Sequence, residues 1–489
     1  MTALSAGLYS VLSGLAALGG ALRRRSGRAP ARPVSPLVHA SSIGAEHVSI
    51  AVLMGSAGTM LTGGVSVIWM SVGVAAGHLL LVAFAVAPLR RSGAYTLSDF
   101  AEWRLRSRSL RRLVTACVTI TGCLYLMPQL RGAGLTLRVL LGTPVWTGAL
   151  ATAAFAYLAV VMGVNRRSTA VQAGQYWVKL AVFVVPAVLL LGVAHGRQAA
   201  AHTVAGGAWA SVVPYGGPAA HYTLYSLLLG MLLGTMGLPN LIGRFHMCAD
   251  GAAARRTGVL VLGLVSVFTV LPLVIGTLAR GHAPQLGVHG HDDLLVLRLP
   301  VLMVPGPSGE LLTGLLVAGA LAAFLTAATG LTFTLAVTIA QCAFGGGVGG
   351  FRFGAALAAT VAFLGCAYAG SLSTAALAAV AFGVAAATLS PMLLLGLWWR
   401  RFTDAGCAAG LVIGLTGTVG PALWKLFGTL PGGLAGALLA MPAACTAPLA
   451  FVAMVVVSLA TPARIPLDAG SHLIRMHVPE GVLTPTPDR

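Results

Sequence analysis

Apolar residues run along this chain in long stretches, without the strict alternation of a half-buried strand. The first covers about Leu4 to Leu22. Twelve more lie near 42–62, 66–88, 113–141, 145–163, 171–194, 221–241, 258–279, 310–341, 353–371, 374–399, 406–427 and 433–459. A helix needs roughly 20 apolar residues to cross a bilayer, so each run is a candidate span. Short segments rich in Arg, Gly and Pro separate them. The pattern predicts an all-α, polytopic membrane protein of about 13 transmembrane helices with no large soluble domain.

Composition agrees. Of 489 residues, 57% are hydrophobic and only 8% are Asp, Glu, Lys or Arg. That is too few charges to cover a water-soluble fold, and the opposite of the polar, charge-rich make-up of a disordered chain. The net charge of +19 would suggest nucleic acid in a soluble protein. Here the arginines cluster between apolar runs, as in loops that face anionic lipid, and no nucleic-acid motif accompanies them.

The arginines also orient the chain. If the N-terminus lies outside, the segments assigned to the cytoplasm (23–32, 90–112, 166–167, 244–256, Arg352, Arg400, Arg401 and the tail) hold 23 of the 30 basic residues. The positive-inside rule then puts the C-terminus in the cytoplasm of a multi-pass cell-membrane protein. Arg23, Arg24 and Arg25 follow the first apolar stretch, whereas a cleaved signal peptide carries its charges before it. Whether residues 1–22 are retained stays open.

The seven cysteines form no C-x-x-C pair and no zinc spacing, so no metal or haem cofactor is indicated. His282, His289, His291, Asp292 and Asp293 share one loop, but their irregular, glycine-rich setting reads as a solvated outer loop. An enzyme would need clustered carboxylates; Asp99 and Glu102 stand among arginines in one loop, Asp250 stands alone in another, and they read as caps and salt bridges.

Ionisable residues inside spans are functional candidates because hydrocarbon penalises isolated charge. They are Glu46 and His47 in GAEHVSIAVLMGSAG (44–58), Arg131 in LYLMPQLRGAGLTLR (124–138), and Lys179 in QYWVKLAVFVVP (175–186). Lys179 reads as snorkelling to an interface. Arg131 either pairs with Glu46 or meets an anionic substrate. Small residues and proline in GSAGTMLTGG (55–64) and GTMGLPNLIGRF (234–245) mark places where a helix can unwind and line a cavity. Thr326, Thr329 and Thr332 fall near one face of LAAFLTAATGLTFT (321–334). They satisfy their own helix's carbonyls or offer oxygens to a monovalent cation.

These blocks, with RRSGAYTLSDFAEWRLRSRSLRRL (90–113), ADGAAARRT (249–257) and SPMLLLGLWWRRFTDAG (390–406), resemble the solute:sodium symporters. The likeness is to the bacterial cation/acetate (monocarboxylate) branch, over about residues 42–430. The resemblance implies a LeuT-like core of five plus five helices in inverted repeat over 42–400, with repeats at 42–194 and 221–399. Residues 1–41 would then be an accessory span and basic loop, 401–459 two accessory spans, and 460–489 a disordered cytoplasmic tail. It implies symport of a short monocarboxylate (acetate, propionate or pyruvate) by alternating access, with Na+ or H+ as coupling ion and no other cofactor. A cation would sit on carbonyls of Ala45, Val48 and Ala323 and on hydroxyls at Thr326 and 327. Ala327 carries no hydroxyl, which departs from the family pattern. GVNRRST (163–169) departs too. The substrate and coupling set would be Glu46, His47, Ser49, Arg131, Gly234 and Gly237.

Two alternatives remain beside that reading. One is a proton-coupled symporter of another small organic solute. The other is a transporter-like sensor without turnover. The partners in either case are a small organic anion or solute and the lipid bilayer.

Overall fold

Lipid offers the backbone no hydrogen bonds, so each apolar run must satisfy its own N–H and C=O groups, and it folds as a helix. In a computed structural model of the chain, residues 35–163, 169–196, 210–211, 217–287, 292–343, 345–370, 372–429 and 431–480 are described. The stretch Leu4 to Leu22, its following arginines, most of the 163–169 motif, His289 and His291 lie outside them.

The chain opens with a broken pair, α1 (Pro36–His47) and α2 (Ile50–Gly63), bent by 58° at the break. Then come α3 (Val65–Ser92), α4 (Leu97–Leu105), α5 (Arg108–Leu141), α6 (Val145–Val161) and α7 (Thr169–Gly196). A second interrupted rod follows as α8 (Gly217–Gly237) and α9 (Pro239–Phe245), then α10 (Gly251–His282) and α11 (Leu295–Met303). The remainder is α12 (Pro307–Ala343), α13 (Val348–Tyr368), α14 (Thr374–Ala387), α15 (Leu389–Trp398), α16 (Asp404–Phe427), α17 (Gly433–Ala440), α18 (Ala443–Ala460) and α19 (Ala469–His477).

Among the described residues, ten helices are long and apolar enough to cross a membrane, and the α1–α2 pair makes eleven. The 17-residue α6 is apolar but shorter than the rest. Three sequence expectations change. The first interruption lies at Val48 and Ser49, not within 55–64. There α2 runs unbroken to Gly63, and Ser56, Thr59 and Thr62 turn their hydroxyls back to the carbonyls of Val52, Gly55 and Gly58. The run 433–459 is two helices, split at Met441–Pro442, where proline starts α18. The tail expected to be disordered carries α19, whose His472 ring packs 4.1 Å from that of Trp103.

Elements of the arginine-rich face are held by caps. Thr96 and Asp99 form a reciprocal capping box on α4, and Asp250 accepts from Ala253 N at 2.6 Å at the start of α10. Arg111 bridges Asp99 and Glu102 at 2.8 and 2.7 Å. These carboxylates are structural, as their sequence surroundings suggested.

Candidate functional site

The break between α1 and α2 organises the site. Val48 and Ser49 both adopt extended backbone, so α1 ends with carbonyls that no following helical N–H can reach. Ser49 then caps α2, its Oγ accepting from Val52 N at 3.2 Å. The hydroxyl of Ser49 is itself fixed by Gln129 Nε2 at 2.7 Å, and Tyr125 donates to His47 O at 3.4 Å. A buried pair of side chains on α5 thus holds the unwound residues in place.

Lys179 is 3% exposed. Its ammonium donates to Ala45 O at 2.6 Å and to Val48 O at 3.2 Å. It does not snorkel; it reaches into the break. Among the described residues it makes no ion pair with a carboxylate. Ala45 and Val48 are two of the carbonyls expected to face a cation.

On α12, which packs against α1 and α7, Ala323 and Ala327 are buried. Thr326 donates to Ala322 O at 2.8 Å and to Gln175 Oε1 at 3.3 Å. Thr329 bonds its own helix at Leu325 O, while the fully buried Thr332 hydroxyl has no partner among the described residues.

A cavity of about 60 Å³ opens against the break. His47, Val48, Ser49, Val52, Leu53 and Ser56 form one wall; Met70, Ser71 and Val74 of α3, Tyr125, Met231, four residues of α10 and Phe382 complete it. Among the described residues, no Asp, Glu, Arg or Lys lines it. The space matches roughly four waters. The first turn of α2 borders it, and a helix N-terminus favours negative charge.

Glu46 does not face Arg131. It is 4% exposed and pairs with Arg244 of α9, with Arg244 Nε donating to Oε2 at 3.0 Å; Gln172 donates to its Oε1 at 2.7 Å. Gln172 also accepts from Ser42 at 2.7 Å. Gly330 lets α12 approach, since a Cβ there would stand 2.6 Å from Glu46 Cδ. Arg131 pairs instead with Asp293 at 3.8 Å and donates to Gly370 O at 2.8 Å. Asp293 accepts from Thr374 Oγ1 at 2.6 Å and from Thr374 N at 3.0 Å, so this loop aspartate locks the start of α14. Neither half of the expected Arg131–Glu46 pair is available to the other.

Gly234 and Gly237 leave the cavity as well. A Cβ on Gly234 would meet Phe382 backbone at 2.9 Å, and one on Gly237 would stand 2.5 Å from Ser390 Oγ. Both serve the close approach of α8 to α14 and α15. Sequence reasoning passed over Gln129, Gln172 and Arg244. The glutamines were visible as polar residues inside apolar runs, whereas Arg244 was masked by its place in an arginine-bearing loop.

Sodium:solute symporters match this chain over residues 30–343. The chain belongs to the sodium:solute symporter family. The symporter is 23% identical over 407 residues to the symporter YwcA of Bacillus subtilis (strain 168), covering 78% of each chain. Its structure resembles a Na+-coupled sialic acid symporter in a substrate-bound outward-open state, with a TM-score of 0.67, 12% identity and coverage of 94% of this chain and 98% of that one. Mhp1, a nucleobase-cation-symport-1 family transporter with bromovinylhydantoin bound, aligns with a TM-score of 0.57 and 16% identity over 91% and 97% of the two chains. MhsT in complex with L-phenylalanine aligns at 0.57 and 14% over 88% and 99%. These likenesses establish the LeuT-like fold expected from the sequence. The family is one of transporters rather than enzymes.

Proposed function

We propose that the symporter carries a short monocarboxylate, of the acetate, propionate or pyruvate size, by alternating access at the α1–α2 break. One observation carries this reading: a cavity of about 60 Å³ lies against unwound backbone and the N-terminus of α2, and among the described residues no acidic side chain lines it. The volume suits a solute of a few heavy atoms. Ser49 and Ser71 supply hydroxyls for a carboxylate, and Val52, Leu53, Met70 and Phe268 suit a short apolar stub. The site is assembled from α1, α2, α3, α5, α8, α10 and α14, so rocking of one helix group against another would open it to alternate sides.

We further propose a cell-membrane location with the arginine-rich face in the cytoplasm, supported by the 23 of 30 basic residues assigned there. Sodium is the first driving ion to test, because the family and the sialic acid symporter point to it; the proton is the second.

Uptake of labelled acetate, propionate and pyruvate into proteoliposomes, under imposed sodium or proton gradients, tests the reading. Accumulation against a gradient, competed by short carboxylates and not by bulky ones, is the expected result. No accumulation of any of the three under either gradient would sink the substrate proposal.

A further inference from the structure

The carbonyls of Ala45 and Val48 project from the end of α1, where the helix stops and its dipole leaves negative partial charge. A cation is the natural partner for that position. In this molecule the position is taken by the chain itself, through the Lys179 ammonium at 2.6 and 3.2 Å. We propose that Lys179 is a tethered cation that stands in for a sodium ion at this site, so that solute transport does not require sodium there. This rests on the transport reading above and changes what drives it.

Three further features agree. The hydroxyl pair that a sodium ion would need is incomplete: residue 327 is alanine, which leaves Thr326 as the one hydroxyl of the two. The carboxylate next to the site is engaged, since Glu46 is held by Arg244 and Gln172. The residue type is also selective. The chain has 28 arginines and only two lysines, Lys179 and Lys425. An ammonium is a compact point charge that fits between two carbonyls, whereas a planar guanidinium spreads its donors over a wider fork. Lysine stands where a small, round cation is wanted.

The test uses the full-length protein in proteoliposomes and, separately, its melting temperature in detergent. Carboxylate uptake by the unaltered protein is expected to be the same with sodium or choline as the only monovalent cation outside. A fall of about tenfold or more in choline, the size of an ordinary coupling free energy, would overturn the proposal. Sodium is expected to leave the melting temperature of the unaltered protein where choline leaves it. Lys179→Ala, which exposes the two carbonyls, is expected to gain a sodium-specific rise, larger when Ala327→Ser is added. Sodium-specific stabilisation of the unaltered protein that survives in Lys179→Ala would place the ion elsewhere and overturn the assignment. If no carboxylate is taken up in any salt, the transport reading fails, and the melting data still decide the role of Lys179.

Discussion

The molecule contains two interrupted helices, and they do different things. At Val48–Ser49 the chain bends by 58°, its carbonyls meet a buried lysine, and a cavity opens beside it. At Leu238, ahead of Pro239, α8 gives way to α9 without a comparable bend, and the glycines around it are packed against α14 and α15. Proline explains the second break locally, because it removes a donor and fixes φ. The first has no proline at the break. It is held open from outside, by Gln129, Tyr125 and Lys179 on two neighbouring helices. Unwound backbone becomes a binding element only when side chains from elsewhere keep it unwound and a space is left next to it.

One contact joins the two. Glu46 of α1 and Arg244 of α9 form a buried ion pair, so one half of each broken rod is tied to the other. Glu46→Gln leaves the Arg244 charge buried without its partner, a change that typically costs about 3–5 kcal/mol. A large fall in melting temperature and in membrane yield is expected. Glu46→Gln combined with Arg244→Gln is expected to recover much of the loss, because neither charge is then stranded. If the double variant melts no higher than the single one, the pair does not act as a unit and the two breaks are mechanically separate.

The helical layout was legible because a bilayer forces it: length, apolarity and arginine placement leave little choice. The existence of a break in the first core helix was legible too, but its position was not. Small residues at 55–64 looked like an unwinding signal; they are there because Gly55 lies against the start of α14, with Thr374 Oγ1 2.7 Å from where a Cβ would be. A glycine for packing and a glycine for unwinding read alike. The ion pairs were illegible for another reason. Glu46 finds Arg244 at a separation of 198 residues and Arg131 finds Asp293 across the fold, and charge alone does not choose between such partners. Lys179 was visible as a charge within a span, yet only its distance to two specific carbonyls separates a site residue from a snorkelling one.

A smaller effect separates the two breaks directly. Gly234→Val drives a branched side chain into the Phe382 backbone and should cost about 1–3 kcal/mol by overpacking. Its expected signature is lower stability with an unchanged apparent substrate constant in the protein that survives. Gln129→Leu removes the donor to Ser49 Oγ beside the cavity, leaving a buried hydroxyl short of a partner, worth about 1–3 kcal/mol. There the apparent substrate constant should rise while maximal uptake changes less. A substrate constant that moves with Gly234→Val and not with Gln129→Leu would exchange the roles assigned to the two breaks.

The weakest expected effect concerns the far end of the second break. The loop after α9 is held by Arg90, whose Nε donates to Cys248 O at 2.6 Å, and by the tail, where Glu480 accepts from Gly251 N at 2.8 Å and pairs with Arg91 at 3.2 Å. Burial disfavours the charged form of Glu480, but hydrogen bonds from its own backbone and from Gly251, together with Arg91, outweigh it and hold the carboxyl below its usual 4.5. A carboxyl lowered on folding contributes stability above its unfolded value and loses it as pH falls through the folded one. Tail docking through Glu480 is therefore intact at neutral pH and weakens below about 4.5. The side chain is 44% exposed, so Glu480→Gln should cost no more than about 1 kcal/mol, shrinking further in high salt. Limited proteolysis of the 461–480 segment at neutral pH measures this: cleavage should quicken modestly in the variant and converge with the unaltered protein in acid. Equal cleavage of both at neutral pH would mean that the buried side of α19, through His472 and Met476, anchors the tail without help from Glu480.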